Sequence, residues 1–318
     1  AGDAIGPEVG AAGRRRDRAR GPFFSESSSV TGVMRMAPPL ARVVSRTVAR
    51  TKPLVPDGVW PLLLTLRSIG GEGPAVGLPA FGRVLVLAAH PDDESLGCAG
   101  TIAQLADLGA EVTIVFATDG DATRGSSMGR EATGRLRRRE AEAACQVLGV
   151  GRPRFLGYPD GGLPGMVDDL AQAIAALVGE VGPEVALLPW FLDGHRDHRA
   201  LSTALALAAA GASWTGRPEL MVWGYETWTP LPANRLVDIT PVVERKRRAL
   251  AAHATAHLAF DVSASLGLSR WRSIHGLMGR GHAEAFLEAP VGEYLDLMHR
   301  LDVVGREPPA PRRPGGAR

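Results

Sequence analysis

The sequence predicts an α/β fold of the Rossmann-like, three-layer kind, with a mostly parallel sheet and a helical C-terminal extension. Three observations predict it. Short continuous apolar runs such as Val84–Ala89 have the look of strands buried on both faces. Between them lie amphipathic stretches of helical period, the longest being Arg130–Leu148, closed by Gly149. Strands and helices then alternate, the pattern of βαβ units whose crossovers cover both faces of a parallel sheet.

Taken in order, residues 1–36 are rich in Gly, Ser and Arg, carry the run Arg14–Arg18, and show no hydrophobic period, so a disordered N-terminal segment is expected. Residues 37–80 hold two short amphipathic patches, Leu40–Val48 and Val59–Ile69, broken by Pro53, Pro56, Pro61 and the turn at Gly70–Gly73. They read as a helical preface. A single domain is expected over 81–304. Its strands are placed at Val84–Ala89, Glu111–Thr118, Arg154–Leu156, Val185–Leu188 and Leu220–Gly224, with helices near Cys98–Leu108, Arg130–Leu148, Val167–Val181 and Arg199–Ala210. Beyond Thr240 the chain is expected to be helical, at Val242–Ala252 and Ala283–Arg300, and the Pro/Arg-rich tail 305–318 disordered.

Composition narrows the function. The 318 residues carry 36 Lys and Arg against 34 Asp and Glu, a formal charge of +2 that argues against a nucleic-acid partner. Two cysteines, Cys98 and Cys145, make neither a disulfide framework nor a C-x-x-C metal site. The longest apolar stretches fall short of the roughly 18 residues of a membrane span, so none is expected. The opening Ala-Gly-Asp-Ala has no positive region before an apolar core, so no secretory signal is read and the expected location is cytoplasmic.

In an open parallel sheet, ligands bind beyond the carboxyl ends of the strands. The loop leaving the first long strand is His90-Pro91-Asp92-Asp93-Glu94, a histidine and three carboxylates that repel one another unless a cation or protons offset them. A second cluster, His195-Arg196-Asp197-His198, follows the strand at Val185–Leu188 and places two histidines on one face of a first helical turn. One histidine and a carboxylate from the first loop with a histidine from the second would form a His₂Asp site with an open position, as in catalytic zinc; the same donors suit Fe(II).

The motif Ala89-His90-Pro91-Asp92-Asp93-Glu94, followed by Thr118-Asp119-Gly120, Arg137 with Glu140, and His195-x-Asp197-His198, resembles the PIG-L/LmbE-like family of metal-dependent N-deacetylases. The resemblance runs from about Arg83 to Ala200. It implies zinc held by His90, Asp93 and His198, and Asp92 as the general base toward a metal-bound water. It further implies that His195 serves the oxyanion or the leaving amine, with Asp197 orienting its ring and holding up its pKa. The substrate implied is a small N-acetylated amino sugar, such as an N-acetylglucosamine conjugate.

Arg137, Asp160, Tyr225 and Glu226 are candidate substrate contacts, Asp119 a candidate to orient the metal ligands, and Glu94 a helix N-terminal charge or a group behind the ligands. Specificity is expected in Trp223–Leu231 and Arg124–Gly129. His253, His257, His275, His282 and His299 lack a carboxylate at metal spacing and read as surface or packing residues. Two rivals stay open: an amidase for a non-sugar or longer N-acyl substrate, and a non-catalytic nucleotide- or sugar-binding module. No oligomeric state is assigned.

Overall fold

The computed structural model describes residues 74–211, 220–301 and 303, so the expectations for 1–36, for the amphipathic patches of 37–73 and for the tail lie outside the described residues. The fold grows from the segment Arg83–Ala88, whose residues after Arg83 are all buried. Alternation sends Leu85 and Leu87 to one face and Val84, Val86 and Ala88 to the other, and each set joins a separate apolar core. Full burial of each of the valine and leucine side chains is worth about 1.5–3 kcal/mol.

In chain order the elements are β1 (Ala75–Val76), β2 (Arg83–Ala88), α1 (Asp93–Asp107), β3 (Glu111–Thr118), α2 (Arg130–Leu148), β4 (Arg154–Tyr158), α3 (Val167–Val181), β5 (Val185–Pro189), α4 (Arg196–Gly211), β6 (Met221–Tyr225), β7 (Arg235–Asp238), α5 (Val243–Ala252), α6 (Ala264–Arg272), α7 (Ile274–Leu277), β8 (Ala283–Pro290) and α8 (Val291–Arg300). The sheet order is β1-β7-β8-β6-β5-β2-β3-β4. β2 pairs in parallel with β3 on one side and β5 on the other, Val84 standing opposite both Val112 and Val185. Helices α3, α4 and α8 cover one face, and α1, α2 and α5 the other. The chain changes direction at the β2/β5 pair, which opens a crevice at the carboxyl ends of these two strands.

α1 begins at Asp93, five residues before the expected start, and is kinked at Cys98 (φ −146°, ψ 20°). The expected start therefore coincides with the second half of a broken helix. The Glu284 carboxylate accepts from the N–H groups of Gly100 (2.9 Å) and Thr101 (2.7 Å), donors that the kink frees, and Lys246 Nζ is bonded to it at 2.8 Å. Gly97 lets this helix approach β6, because a Cβ there would run into the Tyr225 ring.

The C-terminal extension corrects the expectation in one place. Ala283–Pro290 is a strand, not a helix, and it lies inside the sheet, antiparallel to both β6 and β7. Its Ala, Glu and Leu residues favour a helix locally, but the gap between β6 and β7 pairs its backbone on both edges, and its carboxylates find cations in Lys246 and Arg235. The helix resumes at Val291, after Pro290. β1 and β7 were not expected as strands, and within the preface Ala75–Val76 pairs with β7 rather than forming helix.

Candidate active site

The end of β2 delivers the first cluster. His90 N–H donates to Asp93 Oδ2 (2.8 Å), which curls the loop so that Asp93 and Glu94 enter the first turn of α1, where helix N-terminal partial charge favours them. Asp92 takes φ 133°, ψ −25°, a conformation costly for a residue with a side chain by about 1–3 kcal/mol.

The end of β5 delivers the second cluster. Asp193, buried and given no role by the sequence, organises it: Oδ1 accepts from His195 N–H (2.9 Å) and His198 Nδ1 (3.0 Å), and Oδ2 accepts from Trp228 N–H (2.9 Å) and Thr229 N–H (3.2 Å). An acidic residue two before one histidine and five before the other was the available signal. His198 Nε2 is then left free for an electron-deficient partner. It is buried, makes no hydrogen bond, and lies 3.1 Å from Asp93 Oδ1.

Around His90, Nδ1 stands 3.6 Å from Asp93 Oδ2, and Nε2 stands 3.1 Å from Asp197 Oδ2 and 3.2 Å from Asp160 Oδ1. Donor atoms of His90, His195 and His198 lie within 4.8 Å of one another, as do those of His90, Asp160 and Asp197. Burial alone would lower the pKa of His90 and His198, yet the surrounding carboxylates raise both, His198 to about 9. The pocket thus holds more negative charge than its arginine neutralises, and a divalent cation meets the same donors in place of those protons. These two donor sets could each hold a metal; Asp93, expected as a ligand, is in neither of them, although its Oδ1 lies 3.1 Å from His198 Nε2.

Arg137, expected to contact substrate, faces inward from α2. It is buried beneath the first loop, 3.0 Å from Asp92 Oδ2 and bonded to Pro91 O, Gly120 O (3.1 Å) and Thr123 Oγ1 (2.7 Å). Gly120, at φ 62°, makes room for it, since a Cβ there would strike the guanidinium. Burial pushes the Asp92 carboxyl up and Arg137 pulls it back, leaving it raised at about 6.

Four expectations are corrected. Tyr225 is fully buried and donates to Leu87 O at 3.0 Å, so it packs the core. Glu226 is bonded to Arg272 and to Leu231 N–H, which ties down the loop after β6. Asp119 pairs with Arg138 at 2.7 Å, outside the cluster. The Asp197 carboxylate faces His90 and Gly161 N–H (2.7 Å), and only its backbone N–H reaches His195 Nδ1, at 3.3 Å. His195 is not held up: burial and the His90 and His198 charges lower it to about 4. Asp160 joins the site, accepting from Ala122 N–H at 2.9 Å; burial would raise it, but His90 draws it down to about 2.

His253 is also placed differently from its expectation. It is buried, with Nε2 2.9 Å from Glu94 Oε1.

A cavity of about 570 Å³ opens over these groups. It is lined by His90, Asp92, Asp93, Arg137, Asp160 and His195, with Thr123, Arg124, Trp228, Ala256, Ala259 and Phe260. Trp228 and Phe260 stack edge-on, 4.8 Å between ring centroids. That volume lies in the range of small-molecule binding sites. Among the described residues no helix is long and apolar enough to cross a membrane.

Comparison with known proteins agrees with this geometry. Residues 85–209 match the PIG-L family, described as GlcNAc-PI de-N-acetylase. A diacetylchitobiose deacetylase of Thermococcus kodakarensis is 33% identical over an alignment covering 54% of this chain and 68% of that protein. A 1D-myo-inositol 2-acetamido-2-deoxy-alpha-D-glucopyranoside deacetylase of Rhodococcus erythropolis is 30% identical, covering 59% and 85%. Among solved structures, the N,N'-diacetylchitobiose deacetylase of Pyrococcus horikoshii superposes with a TM-score of 0.58 over 67% of this chain and 86% of that one, at 24% identity.

Proposed function

We propose, from the premise that this chain belongs to the PIG-L family of N-deacetylases, that it hydrolyses the N-acetyl amide of an amino sugar or glycoconjugate, with Asp92 as general base and zinc as its metal. The observation that carries this reading is the buried Asp92 carboxylate, held by Arg137 in a cavity whose lining it shares with His90, Asp93 and His195. His90, Asp93 and His198 would hold the zinc; Fe(II) accepts the same donors. What the metal supplies when bound is Lewis acidity toward the amide carbonyl and a lower pKa for water.

The chain's own residues do the rest. Asp92, with Oδ2 on Arg137, has Oδ1 to take the proton of the attacking water, and a pKa of about 6 keeps it ionised yet basic near neutrality. His195 is neutral at that pH; because Nδ1 accepts from Asp197 N–H, its proton sits on Nε2 and can donate to the developing oxyanion. The proton taken by Asp92 passes to the nitrogen as the C–N bond breaks, giving acetate and a free amine. Asp160 and Asp197 fix the His90 ring. Arg124, Trp228 and Phe260, which line the cavity, are the residues to meet whatever the sugar carries.

The test is metal content and amine release on the purified protein, with N-acetylglucosamine, diacetylchitobiose and a GlcNAc–inositol conjugate as substrates. About one equivalent of metal, release abolished by chelation, and turnover lowered to a small measurable residue in Asp92→Asn with metal retained are expected. Full turnover by Asp92→Asn would refute the assignment of the base.

A further inference from the structure

We propose that His253, at the far end of α5, is a positioning residue that holds Asp92 in place through Glu94; the inference rests on Asp92 being the general base. Among the described residues, only Asp92 and Met278 take positive φ without being glycine. A strained peptide persists only where its surroundings hold it. The Asp92 carboxylate is held by Arg137, and its peptide N–H donates to Glu94 Oε2 at 3.1 Å. Glu94 is fully buried, so its second oxygen needs a donor of its own. His253 Nε2 supplies one at 2.9 Å, from 159 residues away, and Ser95 Oγ adds another at 2.6 Å.

The bond is also mechanically anchored. Two residues beyond His253, Thr255 N–H and Oγ1 donate to Glu140 Oε1 on α2 (2.9 and 2.7 Å), one turn from Arg137. Both grips on Asp92 therefore run to the α2/α5 pair. Ser95, His253 and Glu94 also have the residue types of a nucleophilic triad, but Ser95 is fully buried and does not line the cavity, so it has no access to substrate. The chemistry left to the group is to set where the Asp92 carboxylate stands. A displacement of about 1 Å there costs on the order of 10²-fold in rate.

The experiment is a double-mutant cycle on the full chain loaded with zinc, with N-acetylglucosamine as substrate. His253→Leu is expected to lower kcat about 30-fold while KM, zinc stoichiometry and the circular dichroism spectrum stay within about twofold of the parent. His253→Gln, whose amide N–H can reach Glu94, is expected to recover most of that loss. In an Asp92→Asn background, His253→Leu should cost less than about twofold more, because groups that act as one unit are not additive. If His253→Leu does not fold, Glu94→Gln in both backgrounds carries the same expectation. An unchanged kcat, a loss confined to KM or to metal content, or the same 30-fold loss in the Asp92→Asn background would overturn the proposal. Wild-type turnover by Asp92→Asn alone would instead remove the reading of Asp92 on which it rests.

Discussion

Replacing Arg137 with Gln removes one buried positive charge and keeps polar atoms facing Pro91 O, Gly120 O and Thr123 Oγ1. The Asp92 carboxyl, raised to about 6 by burial with Arg137 opposing, then loses the group that opposes the rise. Two unit charges 3.0 Å apart interact by about 5 kcal/mol at an effective dielectric constant of ~20. Opposite charges near a carboxylate typically lower its pKa by 1–3 units, so a rise of about two units, to ~8, is the working figure. At pH 7 the parent Asp92 is about nine-tenths ionised and the variant about one-tenth. With zinc saturating, kcat/KM of Arg137→Gln should fall about tenfold at pH 7 and recover by pH 9, the acid limb of the profile moving upward by about two units. Profiles from pH 5 to 10 on N-acetylglucosamine test this. An unmoved acid limb, or a loss equal at every pH, would refute the claim that Arg137 acts on Asp92 by its charge.

Three other outcomes are expected. Asp193→Asn places an amide NH₂ against the Trp228 and Thr229 N–H donors or against His198, and should weaken zinc binding about 10–100-fold in a chelator competition; unchanged affinity would remove Asp193 from the support of the ligands. Gly120→Ala must strain a φ of 62° and push Arg137 aside, and should lower both the urea midpoint and kcat; a stable, fully active variant would contradict the packing described. In chelator-treated protein His198 has a folded pKa of about 9, because Asp93 and Asp193 outweigh the lowering effect of burial. Its unfolded value is near 6.5, so the stability it contributes is fully present below that and is lost as pH rises through 9, an effect of about 3 kcal/mol. Urea unfolding at pH 6, 7.5 and 9 that shows no such decline would sink that account.

Much of the fold was legible because its signals are local. The runs Val84–Ala88 in β2, Ile114–Ala117 in β3 and Val185–Pro189 in β5 are apolar without interruption, as a strand buried on both faces requires, and Arg130–Leu148 and Val167–Val181 match their helical periods to the residue. Ala283–Pro290 was not legible. Its propensity is helical, and only the open edges of β6 and β7 make it a strand. The kink at Cys98 was hidden for the same reason, since the Glu284 and Lys246 that satisfy it arrive from the far end of the chain.

In the site, the two motifs declared themselves because clustered histidines and carboxylates at strand ends are costly without a cation. What the motifs alone determined is the chemistry available at one edge of the sheet. Which group touches which was decided by tertiary structure: Asp197 turns to His90 rather than His195, Asp193 aligns His198, Arg137 leaves its charged run to sit under Asp92, and His253 crosses from the C-terminal half to Glu94. The physical reason is that a buried polar group is satisfied by whatever partner the packing brings within about 3 Å, and such partners need not be near in sequence. Tyr225 and Glu226 show the converse, residues of the right type beside the site whose bonds are spent on the core and on Arg272.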